Sequence, residues 1–238
     1  MAERRTTVSL VLLTYNEIDG LSALLDQVLA QPCDELFAVD GGSTDGTLEV
    51  YQRAGVEVVA QTSKGRGEAF RLAVDRSRSN ALIFFSPDGN EDVEDIPRFR
   101  AYLDDGYDLV IASRMMPGAW NEEDRYWFRP RKWANKAFNL AANVLWNRSA
   151  FVTDSINGFR AIRRVAFQML QLDATGYEIE YQMTIRAMKA GLRIAEFPTR
   201  EASRIGGESY ARSLPTGLRF ARRLVSEIIV WRRFLRPQ

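Results

Sequence analysis

An α/β fold, with a mostly parallel sheet covered by helices on both faces, is predicted by three observations. The first is a set of short apolar, β-branched or aromatic runs at 8–15, 35–42, 56–61, 81–88 and 108–114, each of strand length. The second is the helical spacing between them, as in Leu21, Leu24, Leu25, Val28 and Leu29, and again in Phe70, Leu72, Ala73 and Val74. The third is the position of the polar motifs: Asn16 and Glu17, Asp40, Asp88, and Ser113 with Arg114 each close or follow a strand. Strands that alternate with helices pair in parallel, and ligands of such sheets bind at the carboxyl ends of the strands.

In chain order, "VSLVLLTY" hands over to Asn16-Glu17 and then to the leucine-rich helical segment. "ELFAVDGG" runs into Ser43-Thr44-Asp45-Gly46, a turn and N-cap composition that starts the helix "TLEVYQRA". "VEVVAQ" precedes "SKGRGEAF", where glycines bend the backbone and Lys64 and Arg66 offer charge before a helix N-terminus, so an anion could dock there. A glycine turn with solvated cations explains that fragment equally well, and it lacks the spacing of a P-loop. "ALIFFSPD" ends on Asp88, and "DLVIASR" on Ser113-Arg114. Residues after 115 are rich in Trp and Arg, turn helical after Pro130 and read as an insertion over the site. Two further elements, 154–164 and 193–204, flank a helix from about Tyr177 to Ala190. Segment 214–235 is an amphipathic helix with Leu214, Leu218, Ala221, Leu224, Val225, Ile228, Trp231 and Leu235 along one side.

The 238 residues, 46% apolar and 26% charged, are enough for one large or two closely packed domains with a substantial core. No run is long enough to cross a bilayer and the start "MAERRTT" lacks the apolar core of a secretory signal, so a cytoplasmic address is expected. Cys33 is the single cysteine and histidine is absent, which excludes an internal disulfide, a thiolate cluster and imidazole chemistry. A metal here would be held by oxygen, which points to Mg2+ or Mn2+. Residues 212–238 hold seven arginines against the single acid Glu227, a net +6 within an overall +1. A basic tail on an acidic body suggests an anionic surface or ligand at the C-terminus.

Taken together and in this order, "LTYNE", "VDGGSTDGT", "GRGEA", the strand-end Asp88, "ASR", "GFRA" and "R-x-G-G-x-S" resemble the family 2 glycosyltransferases, and among them the polyprenol-phosphate sugar transferases of the dolichol-phosphate-mannose-synthase type. The resemblance covers about residues 8–210. It implies a GT-A type, Rossmann-like fold with flanking helices, a donor half at about 8–114, an acceptor half at about 115–211, and the basic helix 212–238 appended. It also implies inverting transfer of a hexose from a GDP- or UDP-linked donor to a polyprenyl phosphate at the cytoplasmic face of an anionic membrane. No nucleic acid partner is expected.

By the same resemblance, Thr14, Tyr15, Glu17, Asp40, Gly42, Ser43, Arg66, Gly67 and Asp88 would surround the donor. Arg114, Arg131, Asn135, Arg204 and Ser209 would hold the acceptor phosphate. Asp88, Arg114 and Arg204 would carry catalysis, and Asp88 with Asn90 would meet the metal. Guanidinium groups suit a reaction in which a diphosphate leaving group and a phosphate nucleophile repel one another, and an anionic nucleophile needs no general base. Three positions depart from the family pattern: Gly41 follows Asp40 where a second Asp is usual, Ser86 stands for the first Asp of an Asp-x-Asp motif, and Asn135 replaces a serine. Glu178 and Glu180 lie near a helix start, where capping explains them and base catalysis by Glu180 stays open. Two other readings remain: the same fold acting on a soluble hydroxyl acceptor, with Glu180 as base, and a non-catalytic nucleotide-sugar-binding protein.

Overall fold

A computed structural model describes residues 5–121, 124, 130–206 and 213–235; of Pro130, Arg131 and 213–215 it describes the backbone only. The chain alternates β1 (Val8–Thr14), α1 (Ile18–Leu29), β2 (Glu35–Asp40), α2 (Thr47–Ala54), β3 (Glu57–Ala60), α3 (Arg66–Arg76), β4 (Ala81–Phe85), α4 (Ile96–Asp104) and β5 (Leu109–Ser113). α5 (Pro130–Trp146), β6 (Arg160–Arg163), α6 (Arg164–Leu170), α7 (Ile179–Ala190), β7 (Ile194–Pro198) and α8 (Ser213–Val230) follow. All five expected strands form, within a residue or two at most ends.

One seven-stranded sheet runs in the order β3-β2-β1-β4-β6-β5-β7. β6 is antiparallel to both neighbours, β4 and β5, and every other pairing is parallel. The uninterrupted apolar runs reflect burial of both sheet faces. Val11, Leu13, Phe37, Val39 and Phe84 point to the core under α3, α5, α6, α7 and α8. Leu10, Leu12, Ala38, Ile83 and Phe85 point to the core under α1 and α4. β1 and β4 lie side by side while their successors run to opposite edges, which opens a crevice at their carboxyl ends.

α8 docks differently from its hydropathy. Its inward face is Phe220, Leu224 and Glu227, continued by Phe234 of a terminal 3-10 turn. The side named from periodicity is largely the outward one: Leu218, Val225, Ile228 and Trp231 are exposed. The reason is Glu227, a charged residue that ion pairs carry into the interior, where its carboxylate meets Arg186 Nε at 2.9 Å and Lys189 Nζ at 2.7 Å.

Candidate active site

A cleft of about 350 Å³ opens at the carboxyl ends of β1, β2 and β4. Thr14, Tyr15, Gly41 and Gln61 contribute ring, backbone and amide groups to its lining. Arg66, Ser86, Asp88 and Arg204, with Lys64, Tyr177 and Arg219, contribute the charged and hydroxyl groups. Four cationic side chains against the two carboxylates Glu17 and Asp88 make the cleft a place for an anion.

The loops around it are fastened to one another. Asp40 accepts the backbone N–H groups of Gly42 and Ser43, at 2.7 and 2.8 Å, and the Ser43 hydroxyl at 2.5 Å. Ser43 Oγ in turn accepts the Asn16 N–H at 2.8 Å. Asp45 accepts the Ile18 N–H at 3.1 Å and the Thr47 N–H at 3.0 Å, so one carboxylate caps the starts of both α1 and α2. Asp40 and Ser43 are buried and frame this loop, Gly42 is exposed on it, and Gly41 is its residue that lines the cleft.

Arg66 is set by close backbone packing. A Cβ at Gly67 would stand 2.0 Å from the Ala174 carbonyl oxygen, and one at Gly65 would stand 2.2 Å from that of Thr175. Lacking both, the start of α3 abuts 174–175, and Gly67 donates its N–H to Thr175 at 3.0 Å. The donor group that an anion would have used at this helix start is thereby occupied, and the guanidinium of Arg66 serves the cleft instead. It lies 5.5 Å from the Phe70 ring and 5.9 Å from that of Tyr177, and it is ion-paired with Glu180.

Arg204 reaches over from the far side. Its Nη1 donates to Asp88 at 2.8 Å and its Nη2 to Glu17. The segment carrying it is zipped onto the end of β4: Ile205 N–H donates to the Asp88 carbonyl at 2.8 Å, and Asn90 exchanges two 3.0 Å hydrogen bonds with Ala202. Burial pushes the carboxyls of Glu17 and Asp88 above their ordinary range despite the guanidinium beside them. Glu91, which was not singled out from the sequence, accepts the Ser86 N–H at 2.7 Å, and burial together with Asp88 raises its carboxyl well above the usual range.

The remaining expected residues that are described are not brought into the cleft. Arg114 makes a bidentate pair with Asp154, at 2.8 and 3.1 Å, and a further bond to Glu201 at 3.0 Å. This knot ties β5 to the 154 and 201 segments. Asn90 lines a neighbouring groove together with Trp120 and Arg200. Asn135 is half-buried on α5, away from the cleft lining. The Arg131 side chain and Ser209 lie outside the described residues. Sequence reasoning missed Gln61, Tyr177 and Arg219 as lining residues, and only the glycine at 176, packed against the Arg219 guanidinium, hinted at the last.

The Arg114 geometry carries a prediction. Because Asp154 is fully buried, Arg114→Ala strands a carboxylate and is expected to cost about 3–5 kcal/mol of stability, read as a fall in the urea midpoint. A variant of wild-type stability with turnover lost would instead make Arg114 a direct phosphate ligand.

The fold and the cleft define a nucleotide-sugar-dependent glycosyltransferase of the GT-A type, and the comparisons with known proteins agree. The family model for glycosyl transferase family 2 matches residues 9–170, and the chain belongs to that family. It is 30% identical over 190 residues to the glycosyltransferase AglJ of Haloferax volcanii, covering 78% of this chain but only 60% of AglJ. It is 32% identical over 210 residues to the undecaprenyl-phosphate mannosyltransferase of Micrococcus luteus, covering 82% of this chain and 84% of that protein. In fold it is similar to glucosyl-3-phosphoglycerate synthase from Mycobacterium tuberculosis in complex with Mn2+, UDP and phosphoglyceric acid. The TM-score is 0.74 at 20% identity, covering 98% of this chain and 80% of that one.

Proposed function

We propose that the protein transfers a hexose, with inversion, from a nucleoside-diphosphate sugar to a polyprenyl phosphate at a membrane surface. The observation that carries this reading is the lining of the cleft, which joins the ring of Tyr15 and the backbone of Gly41 to the guanidinium groups of Arg66 and Arg204. A nucleoside fits the first and a diphosphate the second. Likeness to a transferase acting on undecaprenyl phosphate supports the lipid acceptor.

Among the described residues no group of three or more Asp, Glu, Cys or His side chains is arranged to hold a metal. The residues fit a looser arrangement, in which Asp88 would hold a hard divalent cation whose other ligands are phosphate oxygens and water. Such an ion would neutralise charge on the departing diphosphate. Arg66 and Arg204 contribute the same neutralisation from the protein itself.

Among the described residues no helix is long and apolar enough to cross a membrane. Two helices nonetheless present apolar side chains outward: Leu218, Val225 and Ile229 on α8, and Leu140 and Val144 on α5. Arg222 and Arg232 are exposed on the α8 segment beside them. An apolar strip edged by arginine suits a surface of anionic lipid, where each basic group contributes about 1 kcal/mol.

The test is transfer of labelled hexose from UDP- and GDP-linked donors in detergent with polyprenyl phosphate. Label in the organic phase is the expected result. Label in water-soluble product would support the hydroxyl-acceptor reading, and binding of nucleotide sugars without turnover would make the protein a binding module. Sedimentation with phosphatidylglycerol vesicles is expected to exceed that with neutral vesicles and to weaken with salt; equal binding to both would leave α8 a purely structural helix.

A further inference from the structure

Glu180 is a buried carboxylate beside the cleft for which the proposed reaction has no use. It is the second residue of α7, 2% exposed, and its side chain is ion-paired with the Nε of Arg66. Its second oxygen, Oε2, is buried without a hydrogen-bond partner. Arg66 lines the cleft and Glu180 does not. The guanidinium, and not the carboxylate, thus faces the cleft, with its Nη1 3.5 Å from the Ser86 hydroxyl.

The surroundings are built for that pair. Gly158 faces it: a Cβ there would lie 2.2 Å from Arg66 Nη2 and 3.3 Å from Glu180 Oε1. Two residues on, the fully buried Arg160 fixes the frame. It donates Nε to the Asn157 carbonyl at 2.7 Å, and Nη1 to the Glu180 carbonyl at 2.9 Å and to Thr184 Oγ1 at 3.1 Å. Its own partners are carbonyls and a hydroxyl, and burial pushes it down to about 10. Arg160 therefore clamps the first turn of α7 to the 155–158 loop, which holds both Glu180 and Gly158 against Arg66.

Resting on the reading of the cleft as a nucleoside-diphosphate site, we infer that Glu180 is a positioning residue that holds Arg66 against the diphosphate, and is not a general base. A base must reach the proton it takes, and this carboxylate does not line the cleft and is bound by the cation that does. Accepting a proton would also dissolve the ion pair and leave the Arg66 charge buried without its partner. The assignment fits a nucleophile that is already anionic and disfavours a neutral hydroxyl acceptor. It gives the glycine of "GFRA" a role as well, which is to leave room for the Arg66 guanidinium.

Calorimetry with UDP and GDP on the full chain, alongside pH profiles of transfer, tests this. Glu180→Gln keeps the volume and is expected to weaken binding of the favoured nucleotide about tenfold or more. Arg66→Ala should do the same, and the double variant should be no worse than Arg66→Ala alone, because one residue acts through the other. Gly158→Ala, which presses on Arg66 Nη2 and on Glu180 Oε1 alike, should also weaken nucleotide binding. The acidic limb of kcat/KM against pH should be the same in Glu180→Gln as in the wild type. Unchanged nucleotide affinity in Glu180→Gln, additive losses in the double variant, or loss of the acidic limb would each overturn the inference. Failure of the wild-type protein to bind either nucleotide would instead overturn the reading of the cleft.

Discussion

Arg204→Ala is expected to abolish most transfer activity while leaving the fold intact. The guanidinium bridges Asp88, at 2.8 Å, and Glu17, two carboxylates brought together from opposite sides of the crevice. All three side chains are less than a fifth exposed, so the charges are poorly screened. Truncating one member of such a set costs about 2–5 kcal/mol, or roughly 30-fold to a few thousand-fold in kcat/KM if the same guanidinium steadies the transition state. A pH signature accompanies the loss. Glu17 and Asp88 already have folded-state pKa values raised by burial. A carboxyl of this kind binds its proton more tightly in the folded chain, so its cost to stability is absent below the unfolded pKa and grows as pH rises through the folded one. Removing Arg204 strengthens that cost. The deficit in Tm of the variant against the wild type should therefore be larger at pH 7 than at pH 4.5. Equal deficits at both values, or activity near that of the wild type, would show that Arg204 merely fastens its own segment.

The strands were legible because both faces of the sheet are covered. Val8–Thr14, Glu35–Asp40 and Ala81–Phe85 consist almost wholly of buried positions, and that leaves unbroken apolar runs ending in turn residues. Of the residues singled out through the resemblance, Thr14, Tyr15, Glu17, Arg66, Asp88 and Arg204 line one cleft. The place of β6 was not legible. It pairs antiparallel between β4 and β5, partners about 80 and 50 residues earlier, and nothing local in "RAIR" encodes a neighbour at that distance.

Arginine roles were the least legible. A guanidinium at a strand end serves an anionic ligand or an internal carboxylate equally well, and the choice depends on what the fold brings opposite it. For Arg114 the fold brings Asp154, 40 positions on, with Glu201 beside it. For Arg204 it brings Glu17, 187 positions away, at a cleft with room for a ligand. Ser86 shows the same limit. Its hydroxyl lies 3.5 Å from Arg66, so a carboxylate introduced by Ser86→Asp would meet that guanidinium and compete with Glu180 for it, in addition to any pull on a cation.

A stability effect as large as that of Arg114→Ala is expected from Glu227, the single acid of the basic tail. Glu227→Ala should cost about 3–5 kcal/mol at pH 7, because it leaves Lys189 charged and buried without its carboxylate and Arg186 paired only with the exposed Asp173. The residue is fully buried, and it also accepts from Gln182 Nε2 at 3.0 Å, while its backbone carbonyl accepts from Lys189 Nζ at 2.6 Å. It is therefore the polar centre around which α8 seats on α7. Burial already lowers the Lys189 pKa, with Glu227 opposing the shift. A lysine whose folded pKa lies below its unfolded value favours the folded chain as pH rises through the interval between them, since only the unfolded chain still holds the proton. Loss of Glu227 widens that interval. The variant should thus recover part of its deficit between pH 7 and pH 10, measured as urea midpoints against the wild type at each pH. Glu227→Gln, which keeps hydrogen-bonding capacity but not charge, should fall between the two. A functional consequence accompanies the structural one, because α8 delivers Arg219 to the cleft lining. Glu227→Ala should weaken nucleoside-diphosphate binding under conditions where the sheet remains folded, although Glu227 itself lies outside the cleft lining. Wild-type urea midpoints in Glu227→Ala would mean that Phe220, Leu224 and Phe234 seat the helix by apolar contact alone.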